Sequence, residues 1–194
     1  MLPNGDLRVV WTSDEDGPSQ RNIKGATFSL PADTIPPVFT QPANIVANAT
    51  MPTGAVVNYT VQVTDNVGVV SLVCLPPSGS VFPIGTTAVQ CRARDTAGNI
   101  AVANFNVRIK GATEQIVDLA QFVNASSLPP VVKTNLLIVL SVTLINHRNI
   151  PFACSALGIF IQYVQTQPSS VIPPALKAQL IADATRIKAV LGCF

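Results

Sequence analysis

Charge is what this chain has least of. Only 11% of its 194 residues are Asp, Glu, Lys or Arg, against roughly a quarter in an average soluble protein. Hydrophobic residues make up 48%. A disordered tail needs the opposite balance, high charge with low hydrophobicity, and is excluded. Twelve Lys and Arg face ten Asp and Glu, with no basic cluster of the kind that tracks nucleic acid, so no nucleic-acid partner is expected. A single histidine, His147, excludes a His-rich metal site. Trp11 is the one tryptophan, so no aromatic strip suggests a carbohydrate platform. Long apolar runs are missing too. The most apolar stretch, Leu136 to Ile145, is half the roughly 20 residues a membrane-spanning helix needs, and reads as a core helix. The opening residues, MLPNGDLRVVWTSDEDG, lack the basic start and apolar run of a secretory signal.

Four cysteines are present: Cys74, Cys91, Cys154 and Cys193. None forms a CxxC, which removes redox-motif and zinc-ribbon readings. An even number divided between two halves of different composition predicts one disulfide in each half, and disulfides persist in oxidising compartments. Asn48, Asn58 and Asn124 each open an Asn-x-Ser/Thr triplet, making them candidate glycosylation sites and pointing the same way. An extracellular or cell-surface location is therefore expected. Disulfides without a signal are a contradiction. It resolves if the chain is the C-terminal part of a larger secreted protein, or if its start is misassigned.

Three stretches differ in pattern. Residues 1–32 read as a short leading segment, with strands at LRVVW and IKGATFSL around a loop. Residues 33–110 alternate. Val57, Tyr59, Val61 and Val63 are spaced by polar residues, as are Val89, Cys91 and Ala93, and Ala103, Phe105, Val107 and Ile109. Period 2 with one apolar face marks a sheet packed on one side. Turn clusters such as TDNVG, PPSGS and DTAGN punctuate these runs, which is how an all-β sandwich reads. Cys91 shares parity with Val89 and Ala93, and Cys74 with Leu72 and Val70. A core-facing bridge between neighbouring strands follows, worth about 3 kcal/mol in the chain-entropy model.

From Gly111 the period changes, and residues 112–194 read as a small helical bundle. Helices are expected at 113–124, at 131–146 after Pro129-Pro130, from Pro151 onward, and after Pro173-Pro174. The third is expected to carry its stripe on Phe152, Ala156, Ile159, Phe160 and Tyr163, and the fourth on Leu176, Leu180, Ala184, Ile187 and Leu191. Cys154 lies in the first turn of the third helix and Cys193 just past the fourth. If these helices are antiparallel neighbours the two cysteines meet, and their bridge contributes about 4 kcal/mol to a domain small enough to need it. The second helix is apolar on nearly all faces. Such a helix is either buried centrally, the stronger reading, or covered by a partner, which would make the helical domain a surface for self-association.

Several of these residues carry resemblances. The segment VVWTSDEDGPSQRNIKGATFSL is similar to the terminal unit of extracellular β repeats with a V-W-x-S, D-G and I-x-G pattern; a plain hairpin extension explains it equally well. Residues 33–110, through DTIPPVFT and C-x-P-x-SGS-x-FPIGTT-x-V-x-C-x-A-x-D-x-AGN, resemble the HYR (hyalin repeat) domain. That resemblance implies an immunoglobulin-like antiparallel β-sandwich with one internal disulfide, used in adhesion and surface recognition and not in catalysis. Residues 112–194, through NLLIVLSVTLINHRNIPFACSALGIFIQYV and LIADATRIKAVLGCF, resemble FIMAH, a helical module that follows HYR domains in secreted prokaryotic proteins. The family's glycine before the fourth helix is replaced by PSSVIPP, which alters that turn.

Candidate chemistry is sparse. His147 ends an apolar helix, where a positive charge suits the helix C-terminus, and no G-x-S-x-G or other nucleophile motif accompanies it. No carboxylate pair is compelling for glycoside hydrolysis. Calcium is the one cofactor to weigh. Asp14-Glu15-Asp16-Gly17 is an acidic turn with hard oxygen ligands, but it lacks the D-x-[DN]-x-[DN]-G pattern. Asp65-Asn66 and Asp95 with Asn99 could cap a site at one sandwich end, yet Asp and Gly in such positions are sufficiently explained as turn formers. No catalytic, cofactor or metal residue is therefore expected. The expected function is non-enzymatic recognition or presentation of an unidentified protein or glycan ligand. The alternative is the accessory tail of a secreted hydrolase with its catalytic domain upstream.

Overall fold

The structure, a computed structural model, describes residues 7–13, 22–28, 31–40 and 43–193. The acidic turn Asp14–Gly17 and the last two residues of the expected second strand, Ser29 and Leu30, lie outside them. β-sheets come first and four helices follow.

β1 (Leu7–Ser13) and β2 (Asn22–Phe28) form an antiparallel pair, with Leu7 opposite Phe28 and Ser13 opposite Asn22. The main sheet has four strands. β9 (Gly85–Asp95) and β10 (Ile100–Lys110) form its long central hairpin. β7 (Val69–Leu75) lies antiparallel to β9 on one side, and β4 (Ile45–Asn48) lies parallel to β10 on the other. A second pair, β5 (Ala55–Val57) with β8 (Ser80–Phe82), and a short pair, β3 (Val38–Phe39) with β6 (Val63–Thr64), complete the strands. Alternation does its work in β9 and β10. Val89, Cys91, Phe105, Val107 and Ile109 turn inward and pack with Ala55, Val57 and Phe82 of the β5–β8 pair.

Tyr59 anchors this core from a loop. Its ring meets Phe105 edge-on at 5.0 Å and Phe82 at 6.5 Å, and its hydroxyl donates to the Pro76 carbonyl. The expected continuous strand from Val57 to Val63 is broken here. The Ser78 hydroxyl accepts from the Tyr59 N–H and donates to the Tyr59 carbonyl, both at 2.8 Å. A side chain thus stands where a neighbouring strand would pair. β7 departs from parity as well. Its register shifts between Val69 and Ser71, and as an outer strand it is thinly covered, so Val70 and Leu72 are exposed rather than core-facing. Cys74 is half-buried and bonded to Cys91, directly opposite on β9.

The helices are α1 (Ala112–Ala125), α2 (Pro130–Ile145), α3 (Ile150–Thr166) and α4 (Pro174–Leu191). Proline in the first turn starts α2, α3 and α4, where its missing N–H costs nothing. The Asn149 side chain caps α3 by accepting from the Phe152 N–H at 3.3 Å. Gly192, at φ 78°, ends α4 in a left-handed cap, and the Cys193 N–H closes onto the Lys188 carbonyl at 3.0 Å, a conformation that favours glycine. The cap delivers Cys193 to Cys154, and the two are bonded.

The helical core gathers Ile116, Leu119, Leu136, Leu140, Leu157, Phe160, Leu180, Ala184 and Ile187. Two expectations fail in it. On α3 the buried stripe is Ala153, Ala156, Leu157, Phe160 and Val164, while Phe152 and Ile159 face out. α2 is not central. It buries Val132, Leu136, Leu140 and Thr143, but leaves Ile138 56%, Val142 36% and Ile145 78% exposed. Four helices around a core leave each an outer side, and on α2 Thr134, Asn135 and Ser141 share it with Ile138, Val142 and Ile145.

The two units meet without a linker, since only Gly111 separates β10 from α1. Gln115 is buried at the junction. Its amide donates to the Ala49 carbonyl at 3.1 Å and the Lys110 carbonyl at 2.9 Å, and its oxygen accepts from Arg186 of α4 at 2.8 Å. Val190 of α4 reaches into the strand core. No helix among the described residues is long and apolar enough to cross a membrane.

Candidate functional site

One end of the strand unit collects acids. Asp33 precedes β3, Asp65 follows β6, and Asp95 closes β9. Their carboxylate oxygens lie within 4.8 Å of one another. Each aspartate organises its own turn. Asp65 Oδ1 accepts from the Val67 and Gly68 N–H groups at 3.0 and 3.1 Å. Asp95 Oδ1 accepts from Gly98 and Asn99 at 2.6 and 2.8 Å. Gly68 and Gly98, at φ 113° and 101°, supply the positive φ these turns require. Asp33 Oδ1 accepts from Asn66 Nδ2 at 3.0 Å.

Asn99 ties the cluster together. Its Nδ2 lies 2.8 Å from Asp95 Oδ2, 3.2 Å from Asp33 Oδ2, and 3.1 and 3.3 Å from the Asp33 and Ile35 carbonyls. Burial opposes ionisation of Asp95. The Asn99 side chain and the N–H groups of Asn99, Gly98 and Ala97 outweigh it, so the carboxyl sits below its ordinary pKa. Asp65 Oδ2 is buried with no hydrogen-bond partner. These are hard oxygens of the type calcium takes. An amide donor already faces most of them, however, and as it stands the arrangement clamps residues 33–35 onto two turns. Sequence reasoning placed Asp65, Asn66, Asp95 and Asn99 at one end and missed Asp33, whose only signal is its place in DTIPP.

The outer face of the main sheet is different in character. Gln90, Arg92 and Arg94 alternate outward from β9 while Val89, Cys91 and Ala93 are buried. Ser71, Val73 and Leu75 of β7 stand beside them, and the six line a hollow of about 420 Å³. Val73 is 57% and Leu75 66% exposed. No ion pair among the described residues involves Arg92 or Arg94. β7 ends the sheet, so one row of its backbone groups is open to a further strand.

The stretch that carries both features is recognisable. Residues 32–109 match the family model of the HYR domain. HYR domains are extracellular adhesion-type modules and are not catalytic. The three aspartates, the Cys74–Cys91 bridge and the arginine face all lie inside the HYR match. Comparison with curated proteins finds no match to the chain.

The other residues singled out from sequence lie apart. His147 Nδ1 sits 2.6 Å from the Leu144 carbonyl at the end of α2, held by backbone and not by an acid or nucleophile. Asn58 and Asn124 are exposed. Asn48 is half-buried in β4, beside Gln115, Asp118 and Arg186.

Proposed function

We propose that this chain is a non-enzymatic recognition module of a secreted or cell-surface protein. In this reading its strand unit is an immunoglobulin-like sandwich over residues 33–110, and its helical unit, 112–194, is a FIMAH-like module that presents it. Recognition runs through β7 and β9. The observation that carries this is the exposed pairing of Arg92 and Arg94 with Val73 and Leu75 at the open edge of the main sheet. An extended segment added to β7 would gain main-chain hydrogen bonds, and its alternate side chains would lie over that face. Carboxylates at those positions meet two guanidinium groups, which bind them bidentately.

The test uses the whole chain immobilised and a peptide alternating valine and glutamate, with a valine–glutamine peptide as control. The acidic peptide is expected to bind more tightly, and Arg92→Glu with Arg94→Glu to weaken it at least tenfold with an unchanged melting temperature. Equal binding of the two peptides, or indifference to the double substitution, would overturn the assignment of the face. Hydrolysis of peptide, ester or glycoside substrates by the chain would overturn the non-enzymatic reading itself.

A further inference from the structure

The outward side of α2 and α3 carries an apolar surface that the HYR reading does not use. Ile138, Val142 and Ile145 recur at four- and three-residue steps along α2, and Phe152, Ser155 and Ile159 at three- and four-residue steps along α3. Ile138, Val142, Phe152, Ser155 and Ile159 border one groove between the helices, with the small residues Ser155 and Ala156 among its lining. Ile138, Ile145, Phe152 and Ile159 are 56%, 78%, 43% and 58% exposed. With Val142 and Ile150 they expose on the order of 500 Å² of apolar surface, the size of the largest such patch on a typical monomer, which is often functional. A polar rim brings such a patch to the roughly 800 Å² per partner that a stable interface buries.

We propose that the occupant of this face is a second copy of the chain, related by a two-fold axis. Two features select it. First, the surface is self-compatible in charge. Residues 119–182 contain no Asp or Glu, and Lys133, Arg148 and Lys177 are their only Lys or Arg, none of them bordering the groove. A two-fold axis sets each patch against itself, so any charge would meet its own sign. In the groove none does, and an acidic or basic partner finds nothing there to pair with; Arg148 lies beyond it, between Ile145 and Ile150. Second, the surface holds both halves of a ridge-into-groove contact. Ile138 and Ile159 stand up as ridges beside the trough at Ser155 and Ala156, so a copy brings a ridge to each trough.

The experiment is sedimentation of the 194-residue chain from 1 to 100 μM, with Ile138→Glu, Ile159→Glu and, as a control in the neighbouring α1–α2 groove, Val117→Glu. A dimer with a micromolar dissociation constant is expected. Either α2–α3 substitution should weaken it at least tenfold, and Val117→Glu should leave it unchanged. All three positions are at least one-third exposed, and an unchanged far-UV spectrum and melting temperature establishes that folding is intact. If one α2–α3 variant fails to fold, the other decides. A wild-type monomer at 100 μM overturns the proposal, as does a dimer indifferent to both substitutions. Binding of the monomer to phosphatidylcholine–phosphatidylglycerol vesicles, lost in Ile138→Glu, would reassign the face to lipid and overturn it equally.

Discussion

Asp65 Oδ2 is a carboxylate oxygen with no donor, set among other carboxylates. A buried unmatched acceptor costs about 1–3 kcal/mol. Replacing it by an amide keeps Oδ1 for the Val67 and Gly68 N–H groups and turns the orphan into a donor facing Asp33 and Asp95. Asp65→Asn is therefore expected to raise the melting temperature in chelator by about 2–4 °C, the shift that ~1 kcal/mol gives a chain of this size. A rise in chelator that becomes a fall once calcium is added would mean that the oxygen serves as a ligand. Asp95 behaves in the opposite way. Its hydrogen bonds favour the carboxylate, so its folded pKa lies below the unfolded value. The stability it adds is fully present above about pH 3.9 and is lost as pH falls through the folded value. Acid titration of wild type against Asp95→Asn should show this: the variant is less stable at neutral pH, and the difference closes below the carboxylate range. A constant difference across the titration would contradict it.

At the scale of elements, α2 separates what sequence could reveal from what it could not. That a helix runs there was legible from Pro130 and the apolar run. Which side it buries was not, because from Leu136 to Ile145 the helix is apolar on nearly all faces and carries little periodic signal. Only packing reveals that Leu140 is inside and Ile145 outside. Leu140→Ala should cost about 2–5 kcal/mol, and Ile145→Ala no more than about 0.5, both measured by urea unfolding of monomeric protein. Comparable losses would mean that Ile145 is covered. The cysteine pairing was readable, Cys154 with Cys193 from helix-end geometry; for Cys74 with Cys91 parity was sound only on β9, since Val70 and Leu72, which share the parity of Cys74, are exposed. The break in the strand at Tyr59 was not, since it is made by a hydroxyl 19 residues away. Nor was Asp33, which Asn99 reaches across 66 residues. Contacts of that separation leave no trace in a local pattern.

For the molecule as a whole, Gln115 is the point where strands and helices share a hydrogen-bond network. Gln115→Ala leaves the Ala49 carbonyl and the Arg186 guanidinium without that partner. Calorimetry is expected to show one transition in wild type and two in the variant, as the units melt apart. One transition in both would place the coupling in Val190 and Ala112 instead. The parallel β4–β10 pair has a mechanical side. Parallel strands are entered at one end and left at the other, so tension drawn between residues before Ile45 and after Lys110 slides them lengthwise. All the hydrogen bonds of the pair are then strained together rather than opened one at a time. The two bridges narrow the path further: a load passing from Cys154 to Cys193 skips residues 155–192, and one passing from Cys74 to Cys91 skips 75–90. Under pull, neither stretch can be drawn out as slack.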